Sequence, residues 1–205
     1  MMSYKYLFAL SSDCIKQELV SIARVNHSGE LGAKYIYKGQ IIASKFKQDN
    51  KDEADDKILK LIDMYKSELV HLEYFDKLIT NQSSFKFSLL NAMWKPFSFG
   101  LGFCSAFASY KLAMLLTKCV ETVIESHYLE QLIMLEKIAE VTNNQEEKEL
   151  CLDLKQNIYN FLQDEIEHKI DGDTLSQGLS LNVTKICSFI FESIVKCAIL
   201  ISKKI

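Results

Sequence analysis

The sequence predicts an all-α domain, and three observations carry that prediction. Pro96 is the only proline and glycines number seven in 205 residues, so long stretches contain no strong helix breaker. Apolar residues recur at helical spacing through most of the chain. Glu68-Leu69-Val70-His71 and Asp164-Glu165-Ile166-Glu167-His168 each place a Glu and a His three residues apart, which a helix puts on one face and a strand would put on two. The length suits one well-buried core, so residues 1–205 are read as a single domain.

The first helix is expected from about Ser12 to Lys47, with Leu19, Ile22, Val25, Tyr37 and Ile41 supplying much of its apolar stripe and Glu30 at its middle. Asn50 followed by Glu53 resembles a capping box that starts the second helix. That helix continues through Ile58, Leu61, Tyr65 and Leu72 to about Ile79 and carries Glu68 and His71. From 85 to 116 the chain is apolar on all sides, rich in phenylalanine, and interrupted by Pro96 and Gly100-Leu101-Gly102. A membrane-spanning helix needs about 20 apolar residues, whereas Lys95 and Lys111 bracket a short run that contains glycine. The segment is therefore expected to be an apolar hairpin or helix, in the core or at an interface, that faces a membrane or a substrate.

A third helix should carry Glu121 to about Glu140, closed by Thr142-Asn143-Asn144. Asn144 with Glu147 reads as a capping box for a fourth helix, which runs to about Ile170 with Asp171-Gly172 as its C-cap. Leu181 to Ile205 mixes apolar clusters with Lys185, Lys196, Lys203 and Lys204, the pattern of an amphipathic helix with a basic end. Such a helix could close the bundle or rest on an anionic membrane surface.

Charge and cysteine usage exclude several classes. The net charge is -3 and Arg24 is the only arginine, so no arginine-rich patch for nucleic acid is present. The six cysteines contain no C-x-x-C pair and sit among apolar residues, as reduced, buried cysteines of a cytosolic protein would. The apolar run Tyr6-Leu7-Phe8-Ala9-Leu10 is too short for a signal sequence, which leads to the expectation of a bacterial-type cytoplasm.

The chemistry lies in the order Glu30, Glu68-x-x-His71, Glu121, Glu165-x-x-His168, a loose internal repeat of two helix hairpins. Bundles that hold two iron or manganese ions use one glutamate from each of two helices and a Glu-x-x-His from each of two others. A single Glu-x-x-His is common on solvated helices. Here the chain has only four histidines, and His27, His71, His127 and His168 all lie within two turns of one of the four glutamates. Two irons that change oxidation state need anionic oxygens to balance charge, and one imidazole each. On this reading Glu68 and Glu165 bridge both irons, Glu30 and His71 complete one, and Glu121 and His168 complete the other. His27 and His127 are either satisfied histidines or supports for a carboxylate. Glu125 and Glu167 are solvated neighbours. The phenylalanine-rich segment is core, or the lining of a channel for a long apolar substrate.

Arg24-Val25-Asn26-His27-Ser28-Gly29-Glu30-Leu31-Gly32-Ala33, followed by Ile36-Tyr37 and Gly39-Gln40, resembles the Arg-Val-Asp-His-Ala-Gly-Glu signature of the demethoxyubiquinol hydroxylases of ubiquinone biosynthesis. The likeness extends through Glu68 to His71, Val120-Glu121, His127-Tyr128 and Asp164 to His168, covering nearly the whole chain from about Ile22. Asn26, Tyr35 and Ile170 depart from the family's usual aspartate, arginine and aspartate. None of the three is a proposed ligand.

The resemblance implies a ferritin-like four-helix bundle that hydroxylates the ring of a demethoxylated polyprenyl benzoquinol. Molecular oxygen would be activated at two Fe ions, with electrons from an external reductant and ultimately from NADH. His127, Tyr128 and His27 are the candidates for supporting the metal ligands. The implied partners are the quinol, a membrane surface, and a homo-oligomer or an accessory ubiquinone-biosynthesis protein, and the implied location is peripheral on the cytoplasmic side of a bacterial membrane. A tRNA-modifying di-iron hydroxylase, an iron- or peroxide-handling protein and a metal-free membrane-associated helical protein are the rival readings.

Overall fold

The computed structural model describes residues 12–47, 51–82, 85 and 87–204. The described residues form six helices: α1 (Ser12–Phe46), α2 (Lys51–Asn81), α3 (Asn91–Ala108), α4 (Tyr110–Val141), α5 (Gln145–Leu175) and α6 (Leu181–Ser202). The all-α expectation holds. The N-terminal apolar run and the Asn50/Glu53 capping box lie outside the residues whose side chains are described.

α1 pairs with α2 and α4 with α5, so the two hairpins of the internal repeat are the two halves of a four-helix bundle. One apolar layer joins Leu19 and Ile22 of α1 to Phe75, Leu135, Leu154 and Ile158. A second joins Ala33 and Tyr37 to Leu61, Met64 and Met114. The sequence positions place Glu30, Glu68 and His71 between these layers. Removing the layers' side chains from water is the main force that docks the hairpins.

α3 and α6 pack against the α1–α4 pair, where Leu101 of α3 and Phe191 and Val195 of α6 meet Leu115, Cys119 and Val123 of α4. Here the sequence-based expectation needs correction. Pro96 and the two glycines do not interrupt α3, which runs through all three; the break comes at Ser109, a single extended residue (φ −164, ψ 153) whose side chain caps α4 at Leu112 N. The expected hairpin is one helix and the first turns of the next. Gly102 serves contact: a Cβ there would run into the backbone carbonyl of Ile36, and one on Gly39 would run into the carbonyl of Phe99. The missing side chains let α1 and α3 touch backbone to backbone.

Gly172 is likewise no C-cap. α5 continues to Leu175, and a Cβ on Gly172 would lie 2.7 Å from Lys118 N and 2.9 Å from Met114 O of α4. The left-handed turn after α5 falls to Gly178, with φ 87. Asn144 does cap α5, its Oδ1 accepting from Glu146 N and Glu147 N at 2.9 and 3.3 Å. Glu147 does not close the box; its carboxylate accepts from Thr142 Oγ1 at 2.6 Å. Of the six cysteines only Cys119 and Cys151 are buried, while Cys104 and Cys197 are exposed. Among the described residues no helix is long and apolar enough to cross a membrane.

Candidate metal centre

All six expected ligands meet in the bundle interior, each no more than 7% exposed. They form two groups, Glu30–Glu68–His71–Glu165 and Glu68–Glu121–Glu165–His168, whose donor atoms lie within 4.8 Å of one another. Glu68 and Glu165 belong to both, as the expected bridging pair should. The helical spacing explains the convergence: Glu68 and His71 share one face of α2, Glu165 and His168 one face of α5, and α1 and α4 each add a glutamate from across the axis.

Burying four carboxylates is costly unless something compensates their charge. The protein itself leaves that compensation incomplete. Glu68 Oε1, His71 Nδ1, Glu165 Oε2 and His168 Nδ1 are buried without a hydrogen-bond partner. They nonetheless face one another: His71 Nδ1 is 3.1 Å from Glu165 Oε1, and His168 Nδ1 is 3.2 Å from Glu68 Oε1. Hard oxygens with one imidazole in each group suit iron or manganese. The residues present therefore fit a pair of such ions.

Electrostatics agree with a site built for cations. Burial, and then the neighbouring carboxylates, push Glu68 and Glu121 well above the usual carboxylate range. Burial would do the same to Glu165, but His168 and His71 outweigh it and hold its carboxyl down at about 2. Burial alone would lower His71, yet the carboxylates of Asp164, Glu165 and Glu30 around it raise it above the usual histidine range. His168 is raised against its burial by Glu165 and Glu121.

The supporting residues divide unevenly. Tyr128 of α4 is placed as expected, its Oη donating to Glu30 Oε1. Tyr37 of α1, which the sequence reading treats as core, makes the mirror contact, donating to Glu121 Oε1 at 2.9 Å. Burial, followed by the surrounding glutamates, raises both phenols well above their ordinary value, so both remain O–H donors. Asp164 is the second residue that sequence reasoning missed. Its Oδ2 accepts from His71 Nε2 at 3.0 Å, which leaves Nδ1 as the ligand atom. A signal existed for both: Tyr37 and Tyr128 each stand two turns after a ligand glutamate, and Asp164 directly precedes one.

The hydrogen bonds of His27 and His127 run to residues other than the six expected ligands. His27 Nε2 bonds Asp76 Oδ1 at 2.9 Å and its Nδ1 lies 3.3 Å from Asn91 Nδ2, tying α1 to α2 and α3. His127 Nε2 lies 2.8 Å from Gln131 Nε2, and Gln131 in turn exchanges two 2.8 Å bonds with Asn26. Asn26 thus completes an amide pair that the family's aspartate, with acceptors only, could not. Glu125 pairs with Lys169, and Glu167 is exposed.

Comparison with known proteins agrees with this geometry. The family model described as "Ubiquinone biosynthesis protein COQ7" matches residues 17–202. The mitochondrial "NADPH-dependent 3-demethoxyubiquinone 3-hydroxylase" of Dictyostelium discoideum is 34% identical over 164 residues, 79% of this chain and 67% of the relative. The mitochondrial "5-demethoxyubiquinone hydroxylase" of Saccharomyces cerevisiae is 33% identical over 162 residues, 77% and 66% of the two chains. The "3-demethoxyubiquinol 3-hydroxylase" of Rhodospirillum rubrum is 32% identical over 149 residues, 73% and 61%. The chain spans about two thirds of the length of these relatives. It belongs to the COQ7 family of ubiquinone biosynthesis proteins.

Proposed function

We propose that this chain is a di-iron monooxygenase that hydroxylates the ring of a demethoxylated polyprenyl benzoquinol in ubiquinone biosynthesis. The observation that carries the metal part is the pair of overlapping ligand groups with four buried atoms that no protein group satisfies. The reaction and the substrate rest on the family and on the names of its members. Glu30, Glu68, His71 and Glu165 would hold one iron, and Glu68, Glu121, Glu165 and His168 the other, Glu68 and Glu165 being common to both groups. Iron in these positions supplies the redox chemistry that molecular oxygen requires.

A ring C–H becomes C–OH with one atom of O2, and the other leaves as water. Two electrons and two protons balance the reaction; the electrons and one proton come from a reduced nicotinamide cofactor and the second proton from water. NADH is the expected source, whereas the name of the Dictyostelium relative specifies NADPH. The glutamates act as ligands, not nucleophiles. Tyr128 and Tyr37 each grip one carboxylate oxygen of a terminal glutamate and leave the other to the metal. The apolar layers on either side exclude water from the reacting volume.

A polyprenyl quinol lives in a bilayer, so the protein docks peripherally on the cytoplasmic face of a membrane. The supporting feature is exposed apolar surface on the two outer helices, including Met93, Phe97 and Phe107 of α3 and Leu181, Ile186 and Phe189 of α6. Residues 85–116 then form the substrate-facing segment of a single domain.

Three measurements test this reading. Purified protein should carry two irons per chain, and Glu68→Ala and His168→Ala should lose them; unchanged metal content in both variants would sink the di-iron assignment. Complementation of a bacterial strain blocked at this ring hydroxylation should convert its demethoxy quinone, read by mass spectrometry. Accumulation of that quinone despite soluble, iron-loaded protein would refute the substrate. The protein should float with anionic liposomes, and Met93→Ser with Phe97→Ser should weaken flotation; an unchanged fraction would place the membrane contact elsewhere.

A further inference from the structure

The two halves of the centre repeat the same ligand order, and one pair of positions directly beside the ligands sets them apart. Glu30 and Glu121 each accept from a tyrosine on the opposite helix, and Glu68–His71 mirrors Glu165–His168. The residue just before the glutamate differs: Ser67 in α2, Asp164 in α5. Asp164 reaches across to α2, where its Oδ2 accepts from His71 Nε2 at 3.0 Å. In the sequence repeat residue 67 is the counterpart of Asp164. Ser67 carries no carboxylate to offer, and its Oγ donates instead to Asp164 Oδ2 at 3.4 Å. Among the described residues, the carboxylates within reach of His168 all lie on its Nδ1 side.

Resting on the proposal that this site holds two irons, we infer that the two metal positions are unequal, and that Asp164 makes the Glu30–Glu68–His71–Glu165 position the tighter and first filled. A carboxylate on the far nitrogen does three things for a ligating imidazole. It fixes the tautomer with the lone pair on Nδ1, it pins the ring plane, and it makes the ring a better donor. In His71 the Nε2 hydrogen bond that sets them is in place before any metal arrives, so only the Nδ1 proton has to leave. His168 must settle its tautomer and orientation as the metal binds. Asp164 touches neither metal nor substrate in this scheme; it is a positioning residue that acts through His71. Its side chain is half exposed, so substituting it leaves the apolar layers untouched.

Single-position variants measure the difference directly, with Co(II) as the probe and its visible absorption as the readout. Glu121→Ala keeps the His71 position, and Glu30→Ala keeps the His168 position. Each substitution frees one tyrosine hydroxyl, so the two perturbations are matched. Loss of a partner behind a ligating histidine typically costs about 10–100-fold in metal affinity. The Glu121→Ala protein should bind Co(II) tighter than the Glu30→Ala protein by a factor in that range. Adding Asp164→Asn should weaken the first and leave the second unchanged. The exchange Ser67→Asp with Asp164→Ser should move the tighter position to His168. In the unsubstituted protein the same difference should appear as a two-step isotherm.

Equal affinities in the two single-position variants, a one-step isotherm, or equal weakening of both by Asp164→Asn would overturn the inference while leaving the di-iron reading in place. Absence of Co(II) and Fe(II) binding in every protein, the unsubstituted one included, would overturn both.

Discussion

His127 stands beside the residue that grips Glu30, yet its own side chain works elsewhere, and pH should expose the difference. Burial, assisted by Lys203, pushes its imidazole down to about 4. Neutral Nε2 accepts from Gln131, and a proton there would end that bond. The unfolded chain takes up this proton near pH 6.5 and the folded chain only near 4. Stability is therefore fully present above 6.5 and is lost as pH falls through that window, by up to about 3 kcal/mol. His127→Gln should flatten the fall in urea-melt stability between pH 6.5 and 4 relative to the parent, and an unchanged slope would remove His127 as the cause. The convergence of the six proposed ligands was legible because each Glu-x-x-His pair shares a helix face and the Glu, Glu-x-x-His order occurs twice. His27 and His127 were not, because nearness along a helix sets no direction. His27 has the same three-residue spacing from Glu30 as the histidines of the Glu-x-x-His pairs, but it precedes its glutamate, and its ring turns into the seam with Asp76 and Asn91.

Between helices, glycine carries a meaning that the sequence alone did not separate from turn formation. Gly100, Gly102 and Gly172 read equally well as breakers, and a proline beside two of them strengthens that reading. In the fold Pro96 merely lacks the N–H that would bond back to Ala92, and the helix continues because packing on α1 holds it. Gly102 and Gly39 face each other's helix backbone, whereas Gly100 has nothing within 4 Å of its missing side chain. The contrast gives a matched test. Gly102→Ala must push α3 away from Ile36 and should destabilise by about 1–3 kcal/mol, the usual range for overpacking. Gly100→Ala should be neutral or slightly stabilising, since alanine is the better helix former by about 1 kcal/mol. Equal urea midpoints for the two variants would mean that the α1–α3 seam yields without cost. The sequence did carry both ends of α1, the C-terminal end of α4 and the start of α6 to within a few residues, where apolar periodicity marks them.

At the scale of the molecule, the buried ligand layer ties folding to metal and to pH together. In the metal-free protein Glu68 and Glu121 titrate above their unfolded values, and so do His71 and His168. The folded chain thus retains protons that the unfolded chain releases, glutamates above pH 4.5 and histidines above 6.5. Their contribution is fully present below those values and drains away as pH rises. Glu165 runs the other way, held at about 2, but its effect lies below pH 4.5 and leaves the neutral range untouched. Between pH 5 and 9 the shifts of Glu68, Glu121, His71 and His168 therefore act in the same direction on the metal-free protein. Metal reverses the sign, because it binds deprotonated carboxylate and neutral imidazole and releases their protons. Loading with Fe(II) or Mn(II) without oxygen should raise the melting temperature at every pH, and the gap between loaded and metal-free protein should widen from pH 6 to pH 8. The loaded form should release protons on binding, measurable as a buffer-dependent heat in calorimetry. Parallel melting curves across that range, or binding heats independent of buffer, would show that Glu68, Glu121, His71 and His168 keep their protonation when metal binds. Burial of protonated ligands would then not be what links folding to pH.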